Sequence, residues 1–136
     1  MQQNIGLISL VVENYDDAIA FYIQKIGFEL IQDTKIDEVK RWVVVAPKDS
    51  KGCRLLLAKA VNKEQTERIG NQTGGRVFLF LYTDDFEKTY SNMVSKGVNF
   101  VRPVKEEPYG TIAVFEDLYG NFWDLIEEKH SNNRQL

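Results

Sequence analysis

The sequence predicts an α+β fold in which a βαβββ unit occurs twice in tandem. Three observations carry this. Short apolar, β-branched runs alternate with two stretches of helical spacing. Each helical stretch begins at a capping side chain and ends at a glycine. The two sets of start and stop signals recur at nearly one interval: Asn14 and Asp85 stand 71 positions apart, and Gly27 and Gly97 stand 70 apart, so one deletion in the second helix accounts for the difference. A repeat of this kind constrains the fold more than any single motif.

In chain order, Ile5 to Val12 is a mostly apolar strand. Asn14 then offers an N-cap, with Asp17 three residues on as capping-box partner. Ala18, Ile19, Tyr22, Ile23 and Ile26 follow at helical spacing, and Gly27 stops the helix. Phe28 to Thr34, Arg41 to Ala46 and Cys53 to Ala60 are three further strands, separated by turns at Asp37-Glu38 and Pro47 to Gly52. The order then repeats. Arg76 to Tyr82 is a strand, Asp84-Asp85 caps a helix carrying Phe86, Tyr90, Met93 and Val94, and Gly97 closes it. Val98 to Pro103, Thr111 to Glu116 and Phe122 to Glu127 complete the second unit, with Asp117 to Asn121 turning between the last two. The expected organisation is a first module over 1–64, a linker over 65–75 in which Glu64 to Ile69 forms a short helical turn, a second module over 76–128, and a polar tail over 129–136.

Composition excludes several functions. Of 136 residues, 43% are hydrophobic and 27% charged, which suits a globular chain rather than a disordered one. A single His and a single Cys rule out a His-rich or Cys-rich metal site within one chain, and an intrachain disulfide. No apolar run approaches the roughly 18–20 residues that span a bilayer. Met1-Gln2-Gln3-Asn4 lacks the basic start of a signal peptide, so a reducing cytoplasm is expected. A net charge of −3, with Lys48, Lys51, Arg54, Lys59 and Lys63 only loosely spaced, argues against nucleic acid as partner. His130 lies in the polar tail, and Ser9 and Cys53 have no His near them to act as a base.

Three pieces of sequence resemble the vicinal-oxygen-chelate superfamily, which includes glyoxalase I, bleomycin-resistance proteins, fosfomycin-resistance transferases and extradiol dioxygenases. Ala18-Ile19-Ala20-Phe21-Tyr22 followed by Ile26-Gly27-Phe28 resembles its A-x-x-FY…LGF pattern. Lys96-Gly97-Val98 resembles its second-helix exit, and Asp117-Leu118-Tyr119-Gly120-Asn121-Phe122-Trp123-Asp124-Leu125 resembles D-P-x-G-N-x-x-E-L. The resemblance runs from Ile5 to about Glu128. It implies that each module curls a mixed sheet with a helix on its outer face, that the sheets form a cleft for a ligand, and that the chain forms a homodimer.

Enzymatic members of that superfamily hold a divalent metal with His, Glu or Gln at four strand positions. The resemblance places these at Leu7, about Leu56, Phe78 and Asp124. Three are apolar, and one carboxylate does not satisfy a metal that wants three or four N, O or S ligands. No metal and no cofactor are therefore expected, and no catalytic residue is nominated. With the alternation of strand side chains, the resemblance instead aims Leu7, Ser9, Arg54, Leu56, Arg76, Phe78, Phe80, Tyr82, Phe122 and Asp124 into the cleft, with Trp42, Tyr109 and Trp123 as further aromatics. Apolar walls with sparse polar groups describe a small-molecule site. The leading expectation is a metal-independent binder of the bleomycin-resistance kind, taking an aromatic or amphipathic compound, with Arg54 and Arg76 favouring a neutral or anionic one. The alternatives are a lyase or dioxygenase of the same superfamily with an atypical site, and a non-catalytic dimerisation module.

Overall fold

A computed structural model describes residues 1–129, in two compact units, Met1–Gln72 and a second starting at Thr73. Residues 130–136, with His130 and most of the expected polar tail, lie outside the described residues.

The first unit runs β1 (Leu7–Val12), α1 (Tyr15–Ala20), a wider-wound π-helical segment (Phe21–Ile26), β2 (Glu29–Lys35), β3 (Arg41–Ala46), β4 (Arg54–Lys59) and α2 (Lys63–Thr66). Its sheet has the order β1-β4-β3-β2, with β1 and β4 parallel and the other pairs antiparallel. Asn14 caps α1 by accepting a 2.9 Å bond from the Asp17 N–H, and Gly27 ends the helical stretch at φ 88°, which its missing Cβ permits. The expected single α-helix is thus α-helical only to Ala20. The wider winding brings Phe21 alongside Tyr22 and Ile26 on the buried side. One face of the sheet and the helix share a core of Leu10, Val12, Ala18, Tyr22, Val43 and Leu57. Burial at these positions supplies most of the unit's stability, at about 1.5–3 kcal/mol per large apolar side chain. The stretch after α2 is tied back to β1, since the Gln72 side-chain amide meets the Val11 N–H and C=O at 3.4 Å each.

The second unit repeats the topology. It runs β5 (Val77–Tyr82), α3 (Phe86–Ser95), β6 (Asn99–Phe100), β7 (Lys105–Glu107), β8 (Gly110–Glu116) and β9 (Phe122–Glu128), ordered β5-β9-β8-β6, with β7 also on β8. Again the outermost pair, β5 and β9, is parallel. Asp85 caps α3 by accepting from the Lys88 N–H, and the Glu127 carboxylate of β9 accepts from the Phe86 N–H at 2.6 Å. Aromatic rings run from helix to sheet through Phe86, Tyr90, Phe100, Phe115 and Trp123, with successive centroids 4.4–5.8 Å apart.

Four expectations are corrected here. The strand foreseen over Val98 to Pro103 is only two residues long, and β7 was not foreseen; Pro103, which lacks an N–H, stands in the break between them. Val94 of α3 is 49% exposed, so of the apolar positions on that helix it alone is turned mostly to solvent. Trp123 is 3% exposed and stacks on Phe115 in the core, so it is not a cleft aromatic. Finally, β5 is not regular: Val77 pairs with Phe122 and Leu79 with Trp123, which leaves Phe78 at an irregularity. Strict alternation therefore does not carry back to Phe78 and Arg76, and the residue opposite Asp124 is Phe80.

Candidate functional site

In the first unit, the sheet face away from the core is built by register. Leu7 pairs with Arg54, Ser9 with Leu56 and Val11 with Ala58, while Leu56 also faces Val44. Gln32 and Thr34 of β2 stand opposite Val44 and Trp42. Exposure follows the same parity: Leu10 and Val12 are fully buried, whereas Leu7 is 40% exposed and does not close the face over.

Trp42 lines two cavities on this unit. One, of about 280 Å³, is bounded by Tyr15, Trp42, Leu56, Ala58, Lys59 and Val61. The other, of about 370 Å³, is bounded by Leu7, Gln32, Trp42, Val44, Lys51 and Arg54. Trp42 is held by what surrounds its neighbour Arg41. The Arg41 guanidinium donates to both oxygens of Asp33 (2.7 and 3.1 Å) and to Asp16 (2.9 Å), lies 5.1 Å over the Tyr15 ring, and its backbone N–H donates to the Tyr15 hydroxyl. The Asp33 and Asp16 carboxylates raise the Arg41 pKa still further, so its charge is permanent. This clamp joins the start of α1 to β2 and β3 and fixes the strand that presents the indole.

The second unit has its own cavity, of about 350 Å³, between Arg102, Pro103, Lys105, Ile112, Val114 and Asp124. Across the sheet Asp124 is flanked by Phe80 on β5 and Val114 on β8. Its Oδ1 is buried and has no hydrogen-bond partner. Burial pushes the carboxyl pKa up, and the positive charge of Arg102 only partly opposes it.

Of the positions nominated from sequence, Leu7, Arg54, Leu56, Trp42 and Asp124 line these cavities. Phe80 and Tyr82 are 55% and 58% exposed on β5, opposite Asp124 and Ile126. Ser9, Arg76, Phe78, Phe122 and Tyr109 line none of the three cavities. Sequence reasoning missed Gln32, Val44, Arg102, Lys105 and Val114. Val44 sits in an unbroken apolar run whose two faces look alike, and Arg102 is placed by a bend that no local pattern announces.

The family model described as the Glyoxalase/Bleomycin resistance protein/Dioxygenase superfamily matches residues 4–125. The chain belongs to this superfamily. It is 58% identical to a protein from Shewanella frigidimarina (strain NCIMB 400) over 128 residues, covering 93% of this chain and 95% of that one. Among solved structures, UcmS2 is similar with a TM-score of 0.80 and 32% identity, over 93% of this chain and 98% of that one. TnmS3, an antibiotic binding protein from Streptomyces sp. CB03234, is similar with a TM-score of 0.75 and 27% identity, over 94% and 98%. The resemblance in sequence puts the positions where superfamily enzymes hold a divalent metal at Leu7, about Leu56, Phe78 and Asp124. One carboxylate without a nitrogen or sulfur donor does not fit that ion, and no group of three or more His, Cys, Asp or Glu comes together among the described residues.

Proposed function

We propose that the protein is a metal-independent binder of a small aromatic or amphipathic compound. The observation that carries this reading is Trp42, whose half-buried indole lines two cavities on the first unit. Cavities near 300 Å³ with aromatic and aliphatic walls and a few cations suit a compact aromatic ligand. Lys51, Arg54 and Lys59 favour a neutral or anionic one. TnmS3, being an antibiotic binding protein of the same superfamily, supports the class of ligand. The apolar residues at three of the four metal positions support independence from a metal and a role without catalysis. No described helix is long and apolar enough to cross a membrane. We place the protein in the cytoplasm, in keeping with its free Cys53, and as a homodimer, in keeping with exposed Leu7, Phe80 and Tyr82 on the edge strands β1 and β5.

Trp42 is also the reporter. Trp123 is sealed in the core, so a ligand that enters either cavity quenches or shifts Trp42 emission alone. Titration with planar aromatic antibiotics is expected to give a saturable change that Trp42→Phe abolishes. A flat response across such compounds contradicts the reading.

A further inference from the structure

We propose that Asp124 selects ligands that carry a hydroxyl or N–H group, accepting their hydrogen bond at its buried Oδ1. The inference rests on the reading of the chain as a small-molecule binder, but it concerns the cavity of the second unit.

Asp124 stands midway along β9, paired across the sheet with Phe80 and Val114, in a cavity whose apolar walls are Pro103, Ile112, Ala113 and Val114. Among the described residues its Oδ1 is the one buried side-chain polar atom without a hydrogen-bond partner. Proteins seldom leave such an atom unmet, because a buried acceptor that has lost water and gained no donor costs roughly 1–3 kcal/mol. Arg102 and Lys105 bound the same cavity, yet neither forms an ion pair with Asp124; Lys105 is engaged with Glu107 at 3.3 Å. The missing donor is therefore the ligand's to supply. The apolar walls of Pro103, Ile112 and Val114 favour a flat hydrocarbon body for the rest of it, and a volume of about 350 Å³ sets the scale at one or two fused rings. A phenol or an aromatic amine has the required chemistry. An isostere whose donor is capped by a methyl group leaves Oδ1 unmet and is rejected far more strongly than its extra bulk alone would cause.

The test compares 2-naphthol with 2-methoxynaphthalene by calorimetric titration of the full chain. Wild-type protein is expected to bind the naphthol about tenfold or more tightly. Asp124→Leu should erase that preference by weakening naphthol alone, while Asp124→Asn, which keeps an acceptor and the same shape, should retain most of it. Equal affinities in the wild type, a preference that survives Asp124→Leu, or no binding of naphthol each overturn the inference. The binder reading fails separately, when no compound perturbs Trp42 emission, because Trp42 and Asp124 line cavities of different units.

Discussion

Asp117 and Asn121 are the two buried polar side chains of the β8–β9 turn, at 4% and 3% exposure, and they satisfy one another. Asp117 accepts from the Tyr119 N–H, the Asn121 N–H and the Asn121 side-chain amide at 2.9–3.0 Å. Removing the carboxylate strands three donors, so Asp117→Ala is expected to cost about 2–4 kcal/mol, read as a lowered denaturation midpoint. Asp124, seven positions on, behaves oppositely. Its folded-state pKa is raised by burial, so the folded protein holds this proton more tightly than the unfolded chain does. The associated stability is present at low pH and is lost as pH rises from the ordinary carboxyl value of 3.8 through the raised folded value. Asp124→Asn should therefore have a higher Tm than wild type at neutral pH, and the gap should close below pH 4. Calorimetry across that range checks the sign.

Elements differ in how plainly the sequence announced them. Strands β3 and β9 and both helix starts were legible because a β-branched or apolar run marks each strand and a capping side chain marks each helix start. Asn14→Ala should cost about 1 kcal/mol on that ground. The π-helical winding over Phe21–Ile26 was not legible, since 3.6-residue spacing from Ala18 to Ile26 accommodates it without a change of residue type. Nor was β7, a three-residue polar strand whose partner is fixed only by tertiary pairing. The irregularity in β5 between Val77 and Leu79 was not legible either, and strict alternation carried from Phe80 back to Phe78 and Arg76 fails across it. Gly110, at the head of β8, reveals a constraint of the same kind. A Cβ there would collide with the Glu127 carbonyl of β9, so Gly110→Ala must displace one strand. We expect a loss above about 2 kcal/mol in chemical denaturation, larger than an ordinary strand glycine would give.

At the scale of the whole molecule, the repeat and the motifs around it reveal the superfamily, and the proposal of a metal-independent binder rests on the residue types that the resemblance assigns to four positions. The candidate site was legible only in part. Leu7, Leu56 and Asp124 followed from the family resemblance and Arg54 from strand parity beside it, whereas Gln32, Val44, Arg102 and Lys105 arrive by pairing and by a bend that neither encodes. If the exposed apolar side chains of β1 and β5 are covered by a second copy, sedimentation should give twice the 15.7 kDa chain mass, and Phe80→Glu should shift it toward the monomer. The central claim is that a small aromatic compound binds without a metal. Its most direct measurement is the melting temperature of chelator-treated protein with planar aromatic antibiotics, each with and without added zinc, nickel or manganese. A ligand at a hundredfold excess over its Kd contributes about 2.7 kcal/mol, a shift of several degrees. That shift is expected at full size in the chelated protein. A shift that develops only when metal is restored contradicts it.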